Sequence, residues 1–133
     1  MDGRFNANSV LIDLEISSPL IKAARKTLPV IIDTGCTSDL ILTYTEAFPL
    51  ALTLVGLQEY TIADGSKVTF FECLGKVKLG NKEVLCSISI RPQGSFLMGI
   101  SLMEKLQCEL KIDFVNRTAK LDPVVPASPS INR

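Results

Sequence analysis

Residues 29–42 read PVIIDTGCTSDLIL, and the chemistry of the chain starts there. Three apolar residues, Val30, Ile31 and Ile32, run straight into an acid, a hydroxyl and a glycine: Asp33, Thr34 and Gly35. A carboxylate at the end of an apolar strand is costly unless something uses it. The chain contains no histidine, which removes serine–histidine and cysteine–histidine nucleophilic catalysis and histidine metal sites. Carboxylates are then the natural acid–base groups for any enzyme built from this sequence. The four cysteines (Cys36, Cys73, Cys86, Cys108) show no CxxC spacing. They predict neither a zinc site nor a disulfide framework, but reduced, mostly buried packing residues. No metal or cofactor is expected.

The bulk properties narrow the class further. The 133 residues suffice for one domain with a real core. Fourteen basic residues balance fourteen acidic ones, so no field draws the chain to nucleic acid or to an anionic membrane. No apolar run approaches the roughly 18 residues of a membrane helix. The opening MDGRFNANSV is polar, with an early acid, unlike a secretory signal peptide. A cytoplasmic protein is the expectation.

The elements that must position Asp33 read as mostly strands. Val10, Ile12, Leu14 and Ile16 alternate with Asp13 and Glu15, which predicts a half-buried strand. Residues 17–27, with Pro19 and the basic Lys22, Arg25 and Lys26, read as an exposed connection. Residues 28–32 form a short β-branched run expected to be buried on both sides. Residues 39–43 predict another strand, and 44–48 a helical turn stopped by Pro49. Asp64-Gly65 inside residues 60–71 is the strongest hairpin signal in the chain. Residues 76–79 and 84–90 flank GNKE as a second hairpin. Pro92 and Gly94 mark a turn before the apolar run of residues 96–98. Ser101 stands three before Glu104, the spacing of a capping box, ahead of a helix to about Leu106. Residues 109–121 predict a strand, an Asn-Arg turn and a shorter strand. Residues 1–122 form the expected domain, and the proline-rich residues 123–133 an expected disordered tail. The organisation is all-β with one late helix.

An Asp-Thr-Gly alone arises by chance in about 3 of 100 chains of this length, so its setting carries the weight. An apolar run before it, a strand after it, an Asp-Gly hairpin some way on and an apolar-Gly-helix element near the end occur here in that order. In this the chain resembles the retropepsin-like aspartic proteases of clan AA, most closely the small bacterial and archaeal members. The likeness covers residues 10–121, through the Asp33 loop, ADGS (residues 63–66) and FLMGISLMEKL (residues 96–106). It implies a closed acid-protease barrel, with Asp33 catalytic and Thr34 and Gly35 completing its loop. It implies that Ala63, Asp64 and Gly65 form the tip of a flap over the substrate. Leu97, Met98 and Gly99 would pack beside the loop before the helix.

Carboxylate-driven peptide hydrolysis needs two carboxylates around one water, one ionised to take a proton and one protonated to donate. Two like charges a few ångströms apart cannot both ionise, so the pair shares a proton. This chain offers one Asp-Thr-Gly, so the second carboxylate is expected from Asp33 of another copy across a two-fold axis. The function implied is an aspartic endopeptidase acting on an extended peptide or protein substrate as a homodimer. Ile31, Leu97, Met98 and Ile100 are the expected aliphatic walls. Cys36 departs from the alanine, serine or larger apolar residue common after that glycine, and reads as packing or as a redox-sensitive thiol. Asp2, Asp13, Asp39 and Asp113 lack the Thr-Gly context and read as structural or surface acids. Two further readings stand beside these: an ordinary hairpin at Asp64-Gly65, and the same fold as a non-catalytic dimerisation or peptide-binding module.

Overall fold

The computed structural model describes residues 1–125. Ten strands and two short helices follow in the order β1 (Asp2–Asn6), β2 (Ser9–Ser17), β3 (Arg25–Ile32), β4 (Leu40–Thr43), α1 (Tyr44–Ala47), β5 (Thr53–Thr61), β6 (Lys67–Leu79), β7 (Lys82–Arg91), β8 (Leu97–Met98), α2 (Ile100–Leu106), β9 (Cys108–Asp113) and β10 (Thr118–Pro123). No described helix is long and apolar enough to cross a membrane.

Six strands close a ring. β2 pairs with β3, β3 with β8, β8 with β4, β4 with β7, β7 with β6, and β6 returns to β2 through Lys78–Glu15, Val77–Ile16 and Lys76–Ser17. β6 can serve both ends because it is 13 residues long: residues 67–74 pair with β5 and residues 76–78 with β2. Gly75 lies at the crossover, where a Cβ would come within 2.6 Å of Ile88 Cδ1 and 2.9 Å of Leu52 Cδ2. The expected all-β closed barrel is therefore what the chain forms. β1, β10 and β9 extend the sheet beyond β2.

The alternation in β2 does what period two requires: Ile12, Leu14 and Ile16 are fully buried. They meet Val30, Leu40, Leu42, Val77, Ile88, Met98, Leu102 and Leu106 in one core. Each such side chain stabilises the fold by about 1.5–3 kcal/mol of apolar burial.

Several local expectations are corrected. β3 is buried on one face only: Leu28 and Val30 are inside, Pro29 is exposed, and Ile31 and Ile32 are half-buried. The connection expected over residues 17–27 is shorter, because β2 runs to Ser17 and β3 starts at Arg25. Within it Ser18 is buried, its hydroxyl donating to Ala51 O and accepting from the Leu20 and Ile21 amides. Pro49 ends α1 without ending the turn, since it sits inside a following 3-10 turn, Phe48–Leu50, where a missing N–H costs nothing. α2 begins one residue before Ser101, with Gly99 as its N-cap and no capping side chain. β10 runs to Pro123, and the Val124 amide donates to Gln107 O at 2.7 Å. Of the expected tail, residues 126–133 lie outside the described residues.

Candidate active site

β8 lies between β3 and β4, parallel to the first and antiparallel to the second. Residues 33–39, which join β3 to β4, must therefore cross the end of β8 where it turns into α2. Backbone hydrogen bonds hold this crossing at its start, middle and end. Asp33 N donates to Met98 O (3.0 Å), Ile100 N to Cys36 O (2.9 Å), and Gly99 N to Asp39 O (2.9 Å). Gly99 is the pivot, since a Cβ there would stand 1.9 Å from Ser38 O and 2.8 Å from Cys36 O.

Asp33 is half-buried, and Thr34 and Gly35 are exposed. The Gly35 amide donates to Asp33 Oδ1 at 2.9 Å, and Cys36 N to Asp33 O at 3.0 Å. The carboxylate is thus oriented by one backbone donor, and its other oxygen has no hydrogen bond among the described residues. Gly35 has no positive φ; close approach is its role, since a Cβ would be 3.3 Å from Asp33 Oδ1.

Leu97 and Met98 separate by strand alternation. Leu97 is half-buried on the Asp33 side, whereas Met98 is fully buried in the core. Met98 is therefore packing rather than wall, a correction to the expected set. Ile100 is 41% exposed. Ala63, Asp64 and Gly65 form the exposed turn of the β5–β6 hairpin. There Asp64 Oδ1 accepts from the Ser66 hydroxyl and amide, which hold its carboxyl below the usual range. Gly65, at φ +86°, adopts the left-handed conformation that the turn requires.

Registers across the sheet align other side chains with Ile31, two residues before Asp33. Ile31 is opposite Leu97, which is opposite Ile41, then Ser89, then Glu72. In the other direction Ile31 is opposite Leu11, and Leu11 opposite Arg4. One row thus crosses seven strands, apolar near Asp33 and polar at its ends. Glu72 Oε1 accepts from the Ser89 hydroxyl at 3.0 Å. Arg4 pairs with Asp13 at 3.1 Å in solvent. A cavity of about 500 Å3 opens beside Ile31, with Phe5, Leu11, Pro29 and Phe96 among its walls. Sequence reasoning missed Phe5, Leu11, Ile41, Ser89 and Glu72. Leu11 carried a signal, being an apolar residue on the face that β2 otherwise gives to Asp13 and Glu15.

No family model matches the sequence, and no curated protein does. Among solved structures the chain is similar to EIAV protease complexed with the inhibitor HBY-793, at a TM-score of 0.58 and 15% sequence identity. The superposition covers 81% of this chain and 98% of that one. The chain has a retropepsin-like fold.

Proposed function

We propose that this protein is an aspartic endopeptidase whose site forms when two copies meet, each supplying Asp33. The observation that carries this reading is the setting of Asp33. Its half-exposed carboxylate ends β3 on a tightly tied crossing, with Gly35 N–H on one oxygen. That setting lies in a fold shared with a protease that was solved with an inhibitor bound.

In the proposed reaction the two carboxylates share one proton and hold one water between them. The ionised one takes a proton from the water as it attacks the peptide carbonyl; the protonated one donates to the carbonyl oxygen. The first carboxyl then passes the proton it took to the leaving nitrogen as the C–N bond breaks. The second takes a proton back from a hydroxyl of the tetrahedral intermediate, which leaves the acid product and restores the shared proton. No metal and no covalent intermediate enter the scheme. Thr34, exposed and without a side-chain hydrogen bond among the described residues, is free to bond across the two-fold axis. The β5–β6 hairpin serves as the flap, with Ala63, Asp64 and Gly65 at its tip, clamping an extended substrate by its backbone. Ile31, Leu97 and Ile41 offer apolar contact beside the scissile bond. The four thiols, unpaired among the described residues, suit a reducing compartment such as the cytoplasm.

The test is cleavage of a mixed peptide library from about pH 3 to pH 8, the range in which a carboxylate pair exchanges its shared proton. Wild type is compared with Asp33→Asn. Cleavage by wild type, lost in a variant that still dimerises, supports the protease. Two folded, dimeric proteins that cleave nothing overturn it in favour of a peptide-binding module.

A further inference from the structure

Asp39 closes the crossing that Asp33 opens. Its side chain is only 3% exposed, and a buried carboxylate is costly unless charged or polar groups meet it. Three residues on two elements, β7 and α2, do so. Asp39 Oδ2 accepts from the Ser87 amide of β7 at 2.9 Å and from Lys105 Nζ of α2. The Ser101 hydroxyl of α2 favours the charged form more weakly. Oδ1 is buried with no hydrogen bond among the described residues. Burial raises the Asp39 pKa, but Lys105, Ser87 and Ser101 outweigh it and hold the carboxyl below its ordinary value. The other titratable group facing it is Cys86 of β7, whose thiol is pushed up to about 12 by burial and then by the Asp39 charge.

α2 has seven residues, too few to be stable alone, so tertiary ties must fix its place. Its first residue and its N-cap donate the two amides that hold the crossing, Ile100 N to Cys36 O and Gly99 N to Asp39 O. Lys105, in its last turn, reaches back to the same Asp39. Both ends of the helix are thereby tied to the crossing, and β7 is tied to it through Ser87. The Lys105 end is the charged tie, and it is made by a side chain that is 45% exposed.

We infer that the Asp39–Lys105 ion pair is a positioning device: it clamps α2 and β7 onto the end of the Asp33 crossing and so fixes where the Asp33 carboxylate stands. This rests on the reading of Asp33 as catalytic. The clamp itself does not, and the two are tested by separate readouts.

The experiment compares full-length wild type, Lys105→Gln and Lys105→Arg by amide hydrogen exchange and by steady-state peptide cleavage. Asp39→Asn is a second probe of the same pair from inside the fold. In Lys105→Gln the Gly99 and Ile100 amides are expected to exchange about tenfold faster, with β2 amides unchanged, the mark of a local rather than a global loosening. kcat is expected to fall about 10- to 100-fold, the scale of a small misplacement of reacting groups, with KM nearly constant. Lys105→Arg is expected to restore both. Unchanged exchange at Gly99 and Ile100, exchange that rises only in step with global unfolding, or an unchanged kcat would each overturn the proposal. A wild type that cleaves nothing would instead overturn the protease reading, and exchange alone would then uphold or overturn the clamp.

Discussion

Gly99 passes so close beneath Ser38 that a β-carbon on it would lie 1.9 Å from the Ser38 carbonyl oxygen. Backbone is what it meets, so no rotamer relieves the contact. Gly99→Ala is expected to cost at least about 1–3 kcal/mol, as overpacking does, and to abolish cleavage by displacing residues 33–39. Gly56→Ala is the control. A Cβ there meets nothing within 4 Å and the residue has no positive φ, so stability should change by no more than about 0.5 kcal/mol. Urea unfolding of the two variants, with cleavage assayed alongside, checks the contrast.

Much of this crossing is legible in the amino-acid sequence. The apolar run, the acid, and the later apolar-Gly-helix element are local patterns, and they lie where their order implies. The row Leu11–Ile31–Leu97–Ile41–Ser89–Glu72 is not legible there. It depends on registers between strands far apart in sequence, and a shift of one residue would send each side chain to the other face. β1 escapes for a different reason: DGRFN has one apolar side chain and gains its place by pairing with both β2 and β10. Ser101 misleads because its spacing to Glu104 suits a cap. The close passage of residues 36–38 instead makes Gly99 the cap, and no side chain caps the helix.

Asp39 makes stability depend on pH with a definite sign. Burial alone would raise its pKa, but Lys105, Ser87 and Ser101 outweigh burial and set the folded value below the ordinary one. The stabilisation is therefore fully present above the unfolded value near about 3.9 and is lost as pH falls through the lower folded value. Asp39→Asn should be less stable than wild type by about 2 kcal/mol at neutral pH, the scale of hydrogen bonds to a charged group. The gap should close below about pH 4. Urea midpoints measured across that range decide it, and a gap independent of pH would contradict the charged pair.

Cys36 follows the Asp33 loop glycine, and its amide already serves Asp33 O. A thiol is a weak hydrogen-bond donor, whereas a serine hydroxyl supports a neighbouring carboxylate in its ionised form. Cys36→Ser is expected to carry the acid limb of the activity profile to lower pH. A profile that does not move would remove Cys36 from any influence on the proposed dyad.

The proposed site also depends on concentration, because one chain carries one Asp-Thr-Gly. If the two copies associate weakly, activity per chain should fall on dilution and the total should drop faster than linearly. Added peptide substrate that touches both copies should oppose that fall by mass action. Initial rates over a dilution series, at low and at saturating peptide, check both statements.

Mixing wild type with Asp33→Asn at fixed total concentration tests the shared site most directly. If every site needs Asp33 from both copies, cleavage should fall as the square of the wild-type fraction, since mixed dimers carry one carboxylate. Cleavage that stays proportional to the amount of wild type would show that each chain acts alone, and would contradict a dyad built from two Asp33 residues.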